Sequence, residues 1–303
     1  MTGFAIIEAP SSLGLLSSGV ERLPAALLHA GLAERLSARR AARLEAPARD
    51  MRRDPETGFL NPQAIADYAS ALAAATAAVL DRGEVPIVLG GDCSILLGPL
   101  LALRRRGRFG LFFADGHTDF YQPGANTNGE VASSDLALAT GRGPAVLTEF
   151  DGSRPLVRDR DVVAFGRRDE AEAAQFGSEE PPPELLVLSH ADIRRQGFET
   201  ALDAALARLQ RPELQGIWLH FDADVLDDAI MPAVDYRLPG GLGWDEAAIL
   251  LRRLRRTGRL VGLDVTIFNP TLDPGDGIAA PFAAALVAGL TDDDGRDGGR
   301  GGA

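Results

Sequence analysis

An apolar run, Leu111-Phe112-Phe113-Ala114, breaks without a linker into Asp115-Gly116-His117-Thr118-Asp119. A continuous run of this kind reads as a strand buried on both faces, and it constrains the chain more than any other stretch. Residues two apart in an extended chain share a face, so Asp115, His117 and Asp119 can converge just past a strand end. Two carboxylates and an imidazole at that spacing suit a divalent cation. The plainer alternative is an Asp-rich turn whose carboxylates cap local backbone amides. A second stretch repeats the pattern: Ile217-Trp218-Leu219-His220-Phe221 reads as another buried strand and runs into Asp222-Ala223-Asp224. Four carboxylates in one crevice repel one another and ionise together only with difficulty. Divalent cations supply the missing opposite charge. The pattern predicts a binuclear or near-binuclear metal site at the carboxyl end of a mostly parallel sheet, where open α/β sheets receive ligands.

The remaining chain supplies such a sheet. Further strands are expected at 4–7, 85–89, 161–165, 185–188 and 260–265. Helices are expected at 24–36, where Leu27, Leu28, Leu32 and Leu36 recur at helical spacing, at the Ala-rich 61–80, and at 95–105, 135–140, 198–209, 244–256 and 282–290. Segments 41–62, 124–134 and 176–183 read as irregular. The alternation of helices with apolar strands implies an α/β chain with one parallel sheet covered on both faces. Residues 1–290 are expected to form a single domain, and the Gly/Asp-rich 291–303 a disordered tail.

With 303 residues, 46% of them hydrophobic, the chain can bury a large core. A formal net charge of -12 argues against nucleic acid, whose binding leans on Lys and Arg. Cys93 is the single cysteine, which excludes an intrachain disulfide and fits a reducing, cytoplasmic setting. The N-terminus carries no basic stretch followed by a long apolar core, and no apolar run reads as long enough to span a bilayer. A small-molecule substrate is the expected partner. His29 is expected on a helix surface and His190 in a structural place at a strand end. His220, two residues before Asp222, can share its face; it is assigned to support or packing rather than to the ligand set.

Gly90-Gly91-Asp92-Cys93-Ser94, between the strand 85–89 and the helix 95–105, resembles the GGDHS motif of the ureohydrolase family of arginase, agmatinase and formimidoylglutamase, with Cys93 in the His place. Residues 114–119 resemble that family's DAHTD motif, 220–224 its SFDxD motif, and Pro239-Gly240-Gly241-Leu242 the GGL that follows. The resemblance extends from near the N-terminus to about residue 290. It implies a three-layer α/β/α, arginase-like fold, assembly as a homo-oligomer (a trimer or hexamer), and two Mn²⁺ ions. By position, Asp115 and Asp222 would bridge both ions, Cys93 and Asp119 would complete the first, and His117 and Asp224 the second. Such a pair lowers the pKa of a bridging water. The implied activity is attack of hydroxide on the central carbon of a guanidinium or amidine, hydrolysing a non-peptide C–N bond of a linear substrate.

Four departures qualify that expectation. A thiolate at Cys93 is soft and prefers Zn²⁺, Fe²⁺ or Co²⁺ to Mn²⁺; the plainer alternative is a small buried Cys behind a tight turn. Ile267 falls where the family has a Glu that grips the substrate guanidinium. An apolar side chain cannot neutralise a buried cation, so plain arginine is not the expected substrate. In the loop 126–134 the place of the family's proton-shuttle His falls on Ala132, leaving Glu130 as the nearest acid or base. A further family carboxylate is replaced near Ala171. Asp119 and Glu130 are thus the candidate catalytic residues, and Asn128, Glu130 and Ile267 the candidate substrate contacts. The alternatives are a degenerate metal- or ligand-binding member acting as an oligomer subunit, and a single-metal amide hydrolase using Asp115, His117 and Asp222.

Overall fold

The computed structural model describes residues 3–273, 275 and 277–291. Eight strands, β1 (Phe4–Glu8), β2 (Arg39–Arg43), β3 (Val85–Leu89), β4 (Gly110–Ala114), β5 (Val162–Phe165), β6 (Leu186–Leu188), β7 (Ile217–Asp222) and β8 (Leu260–Thr266), form one sheet in the order β2-β1-β3-β8-β7-β4-β5-β6. Every pairing is parallel. The sheet is buried on both sides because its strands alternate between two apolar clusters. Phe112, Leu219, Phe221 and Ile87 pack into one, and Leu111, Phe113, Trp218 and Val88 into the other. The helices Leu23–His29, Phe198–Leu209, Trp244–Arg256 and Ala279–Leu290 cover the first face. The helices Pro62–Asp81 and Leu97–Arg104 cover the second. The result is the expected three-layer α/β/α arrangement.

Several expectations need correction. The expected helix 24–36 is two helices, Leu23–His29 and Leu32–Arg35, parted at Gly31, whose φ of 80° leaves the helical region. The edge strand β2, whose last three residues fall in the stretch 41–62 expected to be irregular, is hidden by its charge: Arg39, Arg40 and Arg43 point outward and pair with Glu84 and Glu8. Asp169 precedes a short helix, Glu170–Gln175, where none was expected. The helix Pro62–Asp81 is, by length and composition, long and apolar enough to cross a membrane, contrary to expectation. It is instead a core helix, with Ile65, Ala69, Leu72 and Val79 buried in the second cluster. The expected tail lies, apart from Thr291, outside the described residues.

Candidate metal centre

The strand order puts the carboxyl ends of β3, β8, β7 and β4 side by side, so the loops that leave them meet. After β3 the chain turns at Gly90-Gly91, and a Cβ at Gly91 would lie 1.6 Å from the Ser11 carbonyl oxygen, so no larger residue fits. The buried Asp92 accepts from Ser94 N (2.9 Å), Gly14 N (3.2 Å) and Ser11 Oγ (3.1 Å), which locks the Cys93 turn to the loop after β1. After β4, Asp169 accepts from both Thr118 N (3.0 Å) and Thr118 Oγ1 (2.7 Å). Arg168 ties the β4 and β7 turns together: its amide donates to Gly116 O and its guanidinium to Asp224 O, each at 2.7 Å.

Two groups of ligating atoms result. Cys93, Asp115, His220 and Asp222 form one, and Asp115, His117 and Asp224 the other; within each group the ligating atoms lie within 4.8 Å of one another. In the first, Cys93 Sγ lies 2.8 Å from Asp222 Oδ2, which also accepts from Thr266 Oγ1 at 3.0 Å. In the second, His117 Nδ1 lies 2.8 Å from Asp224 Oδ2. Asp115 belongs to both. Its Oδ1 accepts from His117 N at 2.6 Å, and its buried Oδ2 has no hydrogen-bond partner. His220 Nε2, also buried and unpartnered, lies 3.8 Å from that oxygen. Orphaned, buried, convergent polar atoms are costly unless something binds them, and a divalent cation fits this donor set.

The electrostatics point the same way. Burial, reinforced by the charge of Asp224, pushes the Asp115 carboxyl up to about 7, although His220 and His117 oppose it. Burial disfavours the charged His117 imidazole, but Asp224 and Asp115 outweigh it and hold it up at about 10. Asp224 is held at about 2: burial works against ionisation, and the bond and charge of His117 win. Burial first, then neighbouring carboxylates, pushes Asp222, Asp119 and the Cys93 thiol well above their ordinary ranges. Like charges crowded in this way resist joint ionisation, and a cation among them would supply the opposing charge.

A cavity of about 200 Å³ opens onto both groups, and Cys93, His117, Asp119, Asp222, Asp224 and Ile267 are among the residues that line it. Asp119 has a positive φ of 46°, and its backbone carbonyl accepts from Leu136 N and Ala137 N. It lies on the cavity wall but outside the two groups. Ile267 is 6% exposed with φ 67°, a strained conformation for a β-branched residue, and its N donates to Gly91 O at 2.9 Å. Asn128, Glu130 and Ala132 line the wall. Glu130 is fully engaged: Oε1 accepts from Leu16 N (2.6 Å), and Oε2 from Asn128 Nδ2 (2.7 Å) and Tyr236 OH (2.5 Å). Tyr236, Tyr121 and Phe176 also line the cavity, with the last two rings 6.3 Å apart. His29 is exposed on its helix, as expected, while His190 begins the helix His190–Gln196 and accepts from Arg194 Nε at 3.0 Å.

Sequence reasoning passed over three buried or cavity residues, Asp264, Asp135 and Tyr236, and read a fourth, His220, as support or packing. Asp264 accepts from Trp218 Nε1 and bonds His220 Nδ1. Asp135 is fully buried with both carboxylate oxygens unpartnered. Tyr236, also on the cavity lining, donates its hydroxyl to Glu130 Oε2. His220 was set among the supporting residues, yet its Nε2 stands within the first group. Its period-two relation to Asp222 was the available signal.

The family model described as "Arginase family" matches residues 2–291. An arginase of Bacillus caldovelox is 28% identical over 302 residues, covering 96% of this chain and 98% of that protein. Arginase-1 of Homo sapiens is 30% identical over 276 residues, covering 88% and 85%. The solved native structure of the Bacillus caldovelox arginase superposes with a TM-score of 0.85 at 26% identity, covering 96% of this chain and 98% of that one.

Proposed function

This chain belongs to the arginase family, and we infer that it is a metal-dependent hydrolase that cleaves a C–N bond of a linear guanidino- or amidine-type compound other than plain arginine. The observation that carries the substrate class is Ile267. Its apolar side chain lines the same cavity as Cys93 and Asp222, and the family resemblance places there the Glu that grips a substrate guanidinium. A neutral amidine, or one whose charge is met elsewhere, suits an apolar side chain at that position better.

Cys93, Asp115, His117, Asp119, Asp222 and Asp224 are the residues assigned to hold divalent ions, two or one. Mn²⁺ is the family's expected ion, and the thiol favours Zn²⁺, Fe²⁺ or Co²⁺. Such ions, when bound, supply Lewis-acid polarisation and an acidified water at neutral pH. The chain's own residues then have distinct tasks. Asp119, which lines the cavity, is the candidate catalytic carboxylate. Glu130 shares its carboxylate among Leu16 N, Asn128 and Tyr236, so a substrate N–H would compete with Asn128 and Tyr236 for Oε2. Glu130 and Asn128 thereby select donors on the substrate, and Glu130 is the candidate proton carrier in a wall where Ala132 offers none. The aromatic mouth of Tyr121, Phe176 and Tyr236 suits the stem of a small molecule. The lone, buried, unpaired Cys93 supports a reducing, cytoplasmic setting.

A second reading, a non-hydrolytic ligand-binding subunit of an oligomer, is favoured by the same Ile267 and Ala132. The deciding experiment loads the stripped protein with Mn²⁺, Zn²⁺, Co²⁺ or Fe²⁺ and assays urea and ammonia release from arginine, other guanidino compounds, hydroxyguanidines and formimidoyl compounds. Turnover of a non-arginine member, at least tenfold above arginine in kcat/KM, is expected. Arginine as the best substrate rejects the substrate class, and no turnover with any ion leaves the second reading.

A further inference from the structure

His220 is the one histidine buried without any exposure, and every contact around it fixes its orientation. Its ring stacks on Phe113 with centroids 4.5 Å apart and planes 17° from parallel. Nδ1 bonds Asp264 Oδ2, while Asp264 Oδ1 accepts from Trp218 Nε1. Trp218, His220 and Asp222 alternate along β7, and Asp264 is opposite His220 on β8, so the line Trp218–Asp264–His220 runs along one face toward the strand end. A proton on Nδ1, donated to Asp264, leaves the Nε2 lone pair free. That nitrogen has no partner and lies 3.8 Å from the equally orphaned Asp115 Oδ2, too far for a hydrogen bond.

We propose that His220 Nε2 is a direct metal ligand and that Cys93, Asp115, His220 and Asp222 form a thiolate–imidazole–dicarboxylate site selective for Zn²⁺-like ions over Mn²⁺. The imidazole that the turn after β3 lacks, with Cys93 in its place, is supplied instead from the body of β7. A tetrahedral ion with bonds of about 2.0–2.3 Å holds neighbouring ligand atoms about 3.3–3.8 Å apart. The four ligand atoms already lie within 4.8 Å of one another, and Nε2 to Asp115 Oδ2 is 3.8 Å. An ion between them satisfies both orphaned atoms. The Asp264–His220–metal relay matches the support that ligating histidines receive, in which a carboxylate fixes the tautomer and raises basicity. The thiolate and imidazole together set the preference: borderline-soft Zn²⁺, Co²⁺ and Fe²⁺ gain from sulfur, and hard Mn²⁺ does not. Asp119 is not needed in this set.

This assignment rests on the centre being a metal site, but it is tested without turnover. The full chain is stripped and titrated with Co²⁺ and Zn²⁺, reading metal per chain and the near-ultraviolet thiolate-to-cobalt absorption. The parent protein is expected to show that absorption and to retain Zn²⁺ against a thousandfold molar excess of Mn²⁺. His220→Gln, folded by circular dichroism, should weaken Co²⁺ binding read at that band at least tenfold, and His117→Gln should leave the band in place. Should His220→Gln fail to fold, Asp264→Asn serves instead, with an expected loss of about tenfold, as for a supporting carboxylate. A parent protein without the thiolate band overturns the proposal, as does a folded His220→Gln (or, in its stead, Asp264→Asn) with affinity within threefold of the parent. Hydrolysis that persists beside either of those results overturns this site alone; a protein that binds no ion overturns the hydrolase reading as well.

Discussion

Cys93 Sγ donates to Asp222 Oδ2 across 2.8 Å, joining two turns 129 residues apart. The contact sets a sulfur against a carboxylate that also accepts from Thr266. Replacing that sulfur with a second imidazole should shift the ion preference. Cys93→His is expected to raise Mn²⁺ affinity relative to Zn²⁺ by about tenfold or more, read by competitive titration. An unchanged ratio would mean the sulfur is not a ligand.

Asp222 accepts from Cys93 and Thr266 on one oxygen and from Asp224 N on the other, so it joins the turns after β3 and β7. Asp222→Ala should lose metal retention after gel filtration, with Asp222→Asn keeping the turn's hydrogen bond as the folding control. Elemental analysis showing the parent's metal content in a folded Asp222→Ala rejects the ligand assignment.

Ile267→Glu places a carboxylate on the lining of the cavity that holds Cys93 and Asp222. KM for cationic guanidino compounds should fall at least tenfold, about 1.4 kcal/mol, with a smaller effect on neutral amidines. Equal changes for both classes would show that position 267 does not read charge.

Remote from the centre, Asp161 is enclosed by Arg108 (Nε and Nη2, each 2.7 Å) and Arg211. Burial opposes its charge, but the two guanidiniums outweigh it and hold the carboxyl below its ordinary 3.8. A carboxyl depressed on folding contributes stability above its unfolded pKa, and that contribution is lost as pH falls through the folded value. Asp161→Asn should cost about 1–3 kcal/mol at pH 7 and progressively less below about pH 4, measured by urea unfolding. A cost that does not vary with pH is incompatible with this linkage.

Chelation should lower thermal stability. An ion present at a hundred times its Kd adds about 2.7 kcal/mol to the folded state, which for a chain of this size is a shift of about 4 °C in Tm. Scanning calorimetry with and without chelator reads it, and coincident transitions would show that no ion is bound at the centre in the untreated protein.

The strands and the two acidic turns were legible because burial on both faces writes an unbroken apolar run, and Asp115 and Asp222 stand where those runs stop. The charges of β2 hid it, since an edge strand needs only half its backbone satisfied and tolerates Arg39, Arg40 and Arg43. The Pro62–Asp81 helix read correctly as a helix, yet composition alone could not separate a core helix from a spanning one. His220 was legible in place but not in role. Its spacing gave its face, whereas the direction of Nε2 depends on Asp264 and Trp218, which only the β7–β8 pairing brings beside it. Tyr236 carried no pattern at all, because its link to Glu130 crosses between two loops.

The two margins of the sheet differ in length and chemistry but share an effect. One ends in β2, where guanidinium groups stand out beside Glu8 and Glu84; the other ends in β6, three residues long. Neither offers a neighbouring copy a bare run of amides and carbonyls to lengthen. Both margins of the sheet are thereby guarded against ribbon-like stacking of one copy on another.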